Sequence, residues 1–302
     1  MNKKYLEKKE IKRWWDYKRQ LRWKNIYNKK DYSSLALNNR MNKILEYIDK
    51  LKIKKKKILE IGFGGGQLAY QLIKRGNMVE GIDVSKKLTS IARQRCKKLK
   101  NRNFSFKVGS IEDALKFKNS SFDMVIVAGV FQYALRPKFV FREIFRVMKQ
   151  GGIFICGQTN FYKFHYFFNL ISLLIRLYYA FSNEKLEISN SFRSFLLETK
   201  LKKILNANQK KFIKNNNFCN KNYVQVNFNF KKRIFYKKKI LNLAKNSHLQ
   251  ILYKDACGPY LNISYKKNFS WFINYILERL ANVPIISILK NFGESQILVF
   301  KK

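Results

Sequence analysis

The chain has 302 residues, 63 of them Lys or Arg and 19 Asp or Glu, which gives a net charge of +44 with both His neutral. Hydrophobic residues are 46% and aromatics 16%, enough apolar material for a sizeable core, so a disordered polycation is excluded, and with 3 Pro and 13 Gly so is a collagen-like or Pro/Gly-rich chain. The 4 cysteines, at 96, 156, 219 and 257, form no C-x-x-C pair, and His165 and His248 are the only histidines; neither a zinc site nor a secreted disulfide framework is expected, and no metal is assigned.

Residues 1–50 mix Lys and Arg with Trp and Tyr, and no apolar run follows the basic start, so they read as a helical cap rather than a signal peptide. The expected compartment is the cytoplasm. Within the cap, residues 38–51 carry Met41, Ile44, Leu45 and Ile48 at helical spacing. From Lys57 the pattern changes to alternating strand and helix. Strands are predicted at 57–61, 78–82, 104–108, 122–128 and 153–156, and helices at 67–74, 86–99 and from Pro137 to Gly151. Residues 122–128 are apolar on both faces, as a central parallel strand requires. Two further strands are predicted at 249–255 and 296–300.

The expected fold is an α/β, doubly wound, largely parallel sheet. Its regions are a cap (1–50), a core (51–160), an aromatic-rich helical insert (161–240) between the fifth and sixth strands, and closing strands (241–302). The insert opens with the apolar run 161–181. Length alone would let it cross a membrane. However, His165, Asn169, Ser172 and Arg176 recur at helical spacing as one polar stripe, and a single crossing would part the last two strands from the sheet. The run therefore reads as a lid over a pocket, or as a helix lying in a membrane interface with its basic neighbours on anionic headgroups.

The strongest chemical signal is Glu60-Ile61-Gly62-Phe63-Gly64-Gly65-Gly66, between a strand and a helix. Glycines there let backbone approach a ligand where Cβ atoms would clash, and the helix N-terminus faces polar ligand atoms. Asp83 follows Gly62 by 21 positions, at the end of the next strand, where a carboxylate accepts hydrogen bonds from a ribose diol. A nucleoside-containing ligand follows. The spacing is not the G-x-G-x-x-G of dinucleotide sites, since Gln67 stands where the third glycine belongs, and no G-x-x-x-x-G-K-[ST] phosphate loop is present.

At these residues the chain resembles the class I S-adenosylmethionine-dependent methyltransferases, whose first motif is an acidic residue followed by G-x-G-x-G, matched by Glu60, Gly62, Gly64 and Gly66. The resemblance continues through Gly109-Ser110-Ile111-Glu112-Asp113, where Ser110 stands in place of the Asp that meets adenine in many members. It then covers Phe122-Asp123-Met124-Val125-Ile126-Val127, the loop Gly129-Val130-Phe131-Gln132-Tyr133, and the helix and turn from Arg142 to Gly152. It spans about residues 40–158 and is strongest toward the small-molecule type that includes quinone-biosynthesis enzymes. It implies a Rossmann-like sheet of seven strands with the last antiparallel, and S-adenosylmethionine as cofactor. By the same resemblance the loop with Glu60, Gly62, Gly64 and Gly66 packs under the methionine part, Asp83 holds the ribose and Ser110 or Glu112 meets adenine; Ile111, Ala128 and Gln132 are further cofactor-binding candidates, Gln132 and Tyr133 either lining the methyl-transfer face or packing their loop.

Methyl transfer from a sulfonium needs alignment and water exclusion, and a base only where the acceptor must lose a proton. His165 is the candidate base, against a plain place in the polar stripe. Tyr133 is the second candidate, against simple packing of its loop; His248 reads as structural, and Asp255 as either a pocket residue or an end-of-strand turn carboxylate. The expected acceptor is a small or lipid-linked metabolite, with peripheral contact to an anionic membrane. A charge spread from Lys3 to Lys302 rather than focused in one patch suits a solvated basic surface or compositional drift. Nucleic acid ranks below: no N-P-P-Y-type tetrad follows the fourth strand, where Ala128-Gly129-Val130-Phe131 stands. An RNA methyltransferase and a non-catalytic nucleoside-binding module remain the alternatives.

Overall fold

The computed structural model describes residues 3–16, 26–28, 32–100, 103–160, 177, 186–197, 223–257 and 293–302. Nine strands are present among them: β1 (Lys57–Ile61), β2 (Met78–Asp83), β3 (Phe104–Val108), β4 (Phe122–Ala128), β5 (Met148–Thr159), β6 (Leu186–Leu197), β7 (Tyr223–Ile234), β8 (Gln250–Cys257) and β9 (Ser295–Lys301). The helices are α1 (Lys3–Trp14), α2 (Tyr32–Lys50), α3 (Gln67–Lys74), α4 (Lys86–Cys96), α5 (Pro137–Val147) and α6 (Lys237–Lys245). Seven strands form one sheet in the order β3-β2-β1-β4-β5-β9-β8. The pairs from β3 to β5 are parallel, whereas β9 runs antiparallel to both β5 and β8. This is the expected Rossmann-like sheet, with its last strand reversed.

The local signals worked where the chemistry was strong. Pro137 starts α5 with a ring that costs no helical donor. Ser85 caps α4 by accepting from the Leu88 amide at 3.2 Å. β4 is buried along its middle because apolar layers cover both sheet faces. One layer brings α5 and α6 down on Phe122, Phe131, Phe154 and Phe300; the other brings α2, α3 and α4 onto Ile58, Val79, Met124 and Ile155. The strand order reverses between β1 and β4, and there the parallel strands splay their carboxyl ends into a crevice.

The insert departs from expectation. Its apolar run lies outside the described residues, apart from Leu177. Residues 186–197 and 223–234 form a two-stranded antiparallel ribbon, β6 with β7, in register from Leu186↔Ile234 to Leu197↔Tyr223, where helix was expected, and α6 begins at the end of the insert. The reason is visible in the period: Val224, Val226, Phe228 and Phe230 alternate with Gln225, Asn227, Asn229 and Lys231, a spacing of two that no helix can use. The cap also holds more than was read from it. α1 is tied to the rest by a Glu7–Arg233 ion pair at 2.9 Å and by a Lys8–Asp113 ion pair, and just past its end a Ser85 hydroxyl donates to Asp16 at 2.7 Å. Among the described residues, no helix is long and apolar enough to cross a membrane.

Candidate functional site

A cavity of about 280 Å³ opens at the carboxyl ends of β1, β2, β4 and β5 and the start of β9. The loop after β1 forms its floor. Gly62 has φ +75°, and its amide donates to the Ile82 carbonyl at 2.7 Å, drawing the loop back toward β2. A Cβ on Gly62 would fall 2.0 Å from a Val130 methyl, so the Val130 side chain packs directly on the Gly62 backbone. The Arg95 guanidinium donates to the Gly65 carbonyl and braces the loop from behind. Gly62 and Gly64 line the cavity; Gly66, with φ +74°, instead forms the turn into α3.

Two carboxylates face this floor. Asp83 is 7% exposed and is held by two backbone amides, from Gly64 at 3.0 Å and Ser85 at 2.9 Å. Burial pushes it up to about 6, against those two hydrogen bonds, with the Asp16 carboxylate adding to the rise. Glu60 is 3% exposed, and its Oε2 is buried with no hydrogen-bond partner among the described residues. Burial and then the nearby Asp83 charge push it up to about 8. An unsatisfied buried acceptor at the edge of a cavity is a place for a ligand cation or donor.

Ser110, Ile111, Glu112, Ala128, Gln132 and Tyr133 also line the cavity, so the structure gathers these sequence candidates in one place. They are not equivalent. The Glu112 carboxylate accepts from the Leu135 amide at 2.8 Å and pairs with Arg136, which commits it to holding the loop after β4. The Ser110 hydroxyl oxygen accepts from the Glu112 amide at 3.2 Å and keeps its own proton to give. The Gln132 side chain donates to the Gly129 carbonyl at 2.9 Å, and Tyr133 meets Trp15 edge to face at 5.8 Å. His165 lies outside the described residues. His248 sits in the turn before β8 beside Phe145, and Asp255 binds Tyr47 and Lys43 of α2; neither lines the cavity.

The lining residues that escaped the sequence reading include Trp15, Tyr27, Arg40 and Glu294. The Arg40 guanidinium lies directly over Gly129, where a Cβ would come within 2.7 Å of Nη1. No carboxylate pairs with Arg40 among the described ion pairs. Burial pushes the Tyr27 phenol up to about 12, opposed in part by the Arg40 charge. One glycine at the end of β4 is the only local hint, because it clears room for an arginine that arrives from 89 positions earlier (129 minus 40).

Comparison with known proteins agrees with this geometry. Residues 52–209 match the family model described as a methyltransferase domain. The chain is 30% identical to the ubiquinone biosynthesis O-methyltransferase of Pelagibacter ubique over 162 residues, which are 53% of this chain and 66% of that protein. It is 34% identical to the demethylmenaquinone methyltransferase of Lactococcus lactis over 110 residues, 34% of this chain and 42% of that protein. The chain thus spans less than two thirds of the length of these relatives. A crystal structure of a SAM-dependent methyltransferase from Methanosarcina mazei superimposes with a TM-score of 0.52 at 15% identity, over 85% of this chain and 96% of that one, a likeness of fold.

Proposed function

The chain belongs to the methyltransferase-domain family, and from that premise we propose that it moves the methyl group of S-adenosylmethionine to a small or lipid-linked metabolite. The observation that carries the reading is the pairing of the glycine loop with two buried carboxylates, one of which keeps an unpartnered oxygen. The residues fit the cofactor. Gly62 and Gly64 let it lie against backbone, and Asp83, fixed by two amides, offers its remaining lone pairs to a ribose diol. Glu60 suits an ammonium, and Arg40, across the cavity floor over Gly129, suits a carboxylate; together they match an amino-acid end. Ser110 gives its proton to a ring nitrogen acceptor of adenine, in place of the family's carboxylate. When bound, S-adenosylmethionine supplies an electrophilic methyl on a cationic sulfur. The chain's task is then to orient the acceptor in line and to exclude water, for which Trp15 and Tyr133 wall the cavity.

A quinone precursor or another lipid-carried acceptor is supported by what the relatives' names record and by α1. That helix walls the cavity with Ile11 and turns Tyr5 and Leu6 outward, 59% and 44% exposed, among Lys4, Lys9 and Lys12. An aromatic and basic face of this kind suits the surface of an anionic bilayer. Calorimetric titration with S-adenosylhomocysteine tests the cofactor site. Micromolar binding is expected, weakened at least tenfold by Asp83→Ala; a folded protein that does not bind overturns the reading. Co-sedimentation with phosphatidylglycerol vesicles, but not with neutral phosphatidylcholine vesicles, is expected for the surface.

A further inference from the structure

Positive charge is spread along the whole sequence, but the fold gathers part of it at one end of the sheet. The loop from α2 to β1 presents Lys52, Lys54, Lys55 and Lys56, all exposed. The end of α3 adds Lys74, and the stretch after α4 adds Lys97, Lys98 and Lys100, exposed as well. These segments lead into the amino ends of β1, β2 and β3, which are neighbours in the sheet. Hydrogen bonds join them there: the Met78 amide donates to the Lys56 carbonyl, and the Val79 amide to the Asn103 carbonyl, both at 2.9 Å. Adjacent strands lie about 5 Å apart, so these lysines stand over three neighbouring strand ends.

The carboxylates of this end are already taken. Asp49 pairs with Arg75 at 3.2 Å, Glu80 with Lys57 at 2.7 Å and Asp123 with Lys149 at 3.0 Å. None of the lysines just named takes part in a described ion pair. The loop that presents four of them is held in place. Asn77, fully buried, accepts from the Lys56 amide at 3.1 Å and donates to the Ile53 carbonyl at 3.4 Å. The Ile53 amide in turn donates to the Ile48 carbonyl at 2.9 Å. Lys52 and Lys55 adopt φ +52° and +53°, the left-handed region in which glycine is at ease and a side chain is not. Two lysines kept in that conformation fix a dense cationic turn where a glycine would make an easier one.

We infer that this end of the sheet is a docking surface for the sugar–phosphate backbone of a nucleic acid. Charge complementarity selects the partner: unneutralised ammonium groups over three strand ends meet successive phosphates. Residues 51–57, 74–78 and 97–103 contain no aromatic side chain to stack on a base, so the contact is indifferent to sequence. A bilayer fits this end less well, because interfacial binding takes a set of apolar side chains along with the charge. Met78 is the one large apolar side chain exposed among these lysines. The cavity opens at the opposite ends of the same strands, about 17 Å away along the five residues of β1. A nucleic acid docked here therefore stays outside the cavity and leaves it open to its own substrate. The surface is independent of the methyltransferase reading.

The test uses the full chain and labelled 20-nucleotide strands of RNA and of DNA, read by fluorescence anisotropy. Micromolar binding of both is expected at 0.1 M NaCl, with a log–log salt slope of about −3, as four or five phosphate contacts give. Combining Lys52→Gln, Lys54→Gln, Lys55→Gln and Lys56→Gln is expected to weaken binding at least tenfold and to lessen the slope by about 2 or more. S-adenosylhomocysteine should still bind that variant within about twofold of the wild type. Combining Lys116→Gln, Lys138→Gln, Lys238→Gln and Lys245→Gln removes the same charge elsewhere and is expected to weaken nucleic-acid binding less than threefold. In the wild-type protein, bound RNA is expected to shield Lys52, Lys54, Lys55 and Lys56 from amine acetylation at least threefold more than Lys238 and Lys245, a readout that needs no variant. Equal losses in the two fourfold variants overturn the inference, since attraction would then be diffuse. So does even shielding of all lysines, or no binding of either strand at 0.1 M NaCl. If the first variant loses phosphatidylglycerol vesicles but keeps RNA, the surface meets a membrane and the inference falls. A wild-type protein that binds RNA at this turn but not S-adenosylhomocysteine removes the methyltransferase reading and leaves this surface standing.

Discussion

Glu60 is a buried carboxylate at the cavity wall that holds its proton. Its folded value of about 8 lies above the ordinary 4.5, because burial and the Asp83 charge disfavour the carboxylate. A raised carboxylate means that the folded state holds a proton the unfolded state has released. Stability from this group is therefore full below about pH 4.5 and is lost as pH rises toward 8, and Asp83 acts in the same direction between 3.8 and about 6. The melting temperature of the ligand-free protein is expected to fall from pH 5 to pH 8, and Glu60→Gln is expected to flatten the fall. Binding an ammonium reverses the preference, since Glu60 must then ionise. Calorimetry of S-adenosylhomocysteine at pH 7, in buffers of different ionisation enthalpy, should detect release of a substantial fraction of one proton, lost in Glu60→Gln. Arg40 gives a second check: Arg40→Ala is expected to weaken S-adenosylhomocysteine by about tenfold to a hundredfold, roughly 1.5–3 kcal/mol, as loss of a charged hydrogen bond does. The place of Asp83 beside the glycine loop was legible from sequence because two consecutive parallel strands fix its distance from the glycines. Arg40 and Glu294 were not, because each reaches the site from a distant stretch of chain, and nothing local separates them from a solvated charge.

At the level of elements, the strands β1 to β4 and the starts of the helices between them could be read almost to the residue, because their apolar periods and punctuating Gly, Ser and Pro all agree, whereas α4 stops at Cys96 rather than 99 and α5 at Val147, where β5 begins, rather than at Gly151. The glycine loop shows how little slack that agreement leaves. Gly62→Ala would place a methyl into Val130 at a left-handed φ, so it is expected to abolish measurable S-adenosylhomocysteine binding and to lower stability by about 1–3 kcal/mol. The ribbon β6–β7 was missed because a long aromatic run upstream of it suggested helix and overshadowed a clean alternation of two. α1 falls within the expected helical cap, but its bounds were not legible because its apolar face is short: Ile11 and Trp14 are buried, and the rest of the helix is largely charged. Charge is what holds it. Arg233 is 6% exposed and pairs with Glu7, so Glu7→Ala should leave a buried cation short of its carboxylate, at a cost of about 3 kcal/mol seen as a lower urea midpoint.

For the whole molecule, the surplus of 44 positive charges acts against its own compactness. Raising NaCl from 0.05 to 0.5 M is expected to raise the melting temperature, the opposite of a protein held by surface ion pairs, and the same salt should release any weak polyanion binding. The sequence could show that the charge is dispersed but not that carboxylates gather inside, because clustering in space leaves no trace in composition. The placement of β9 has a consequence of another kind. It fills the slot between β5 and β8, yet Ser295 pairs with Thr159 across 136 positions of chain (295 minus 159). At a synthesis rate of ~5–20 residues per second, a ribosome needs on the order of 10 s to make that stretch. Throughout that wait the open edge of β5 can recruit any passing strand, including the same edge of a neighbouring nascent chain. A strongly like-charged polypeptide is well suited to keep such neighbours apart until the missing strand arrives.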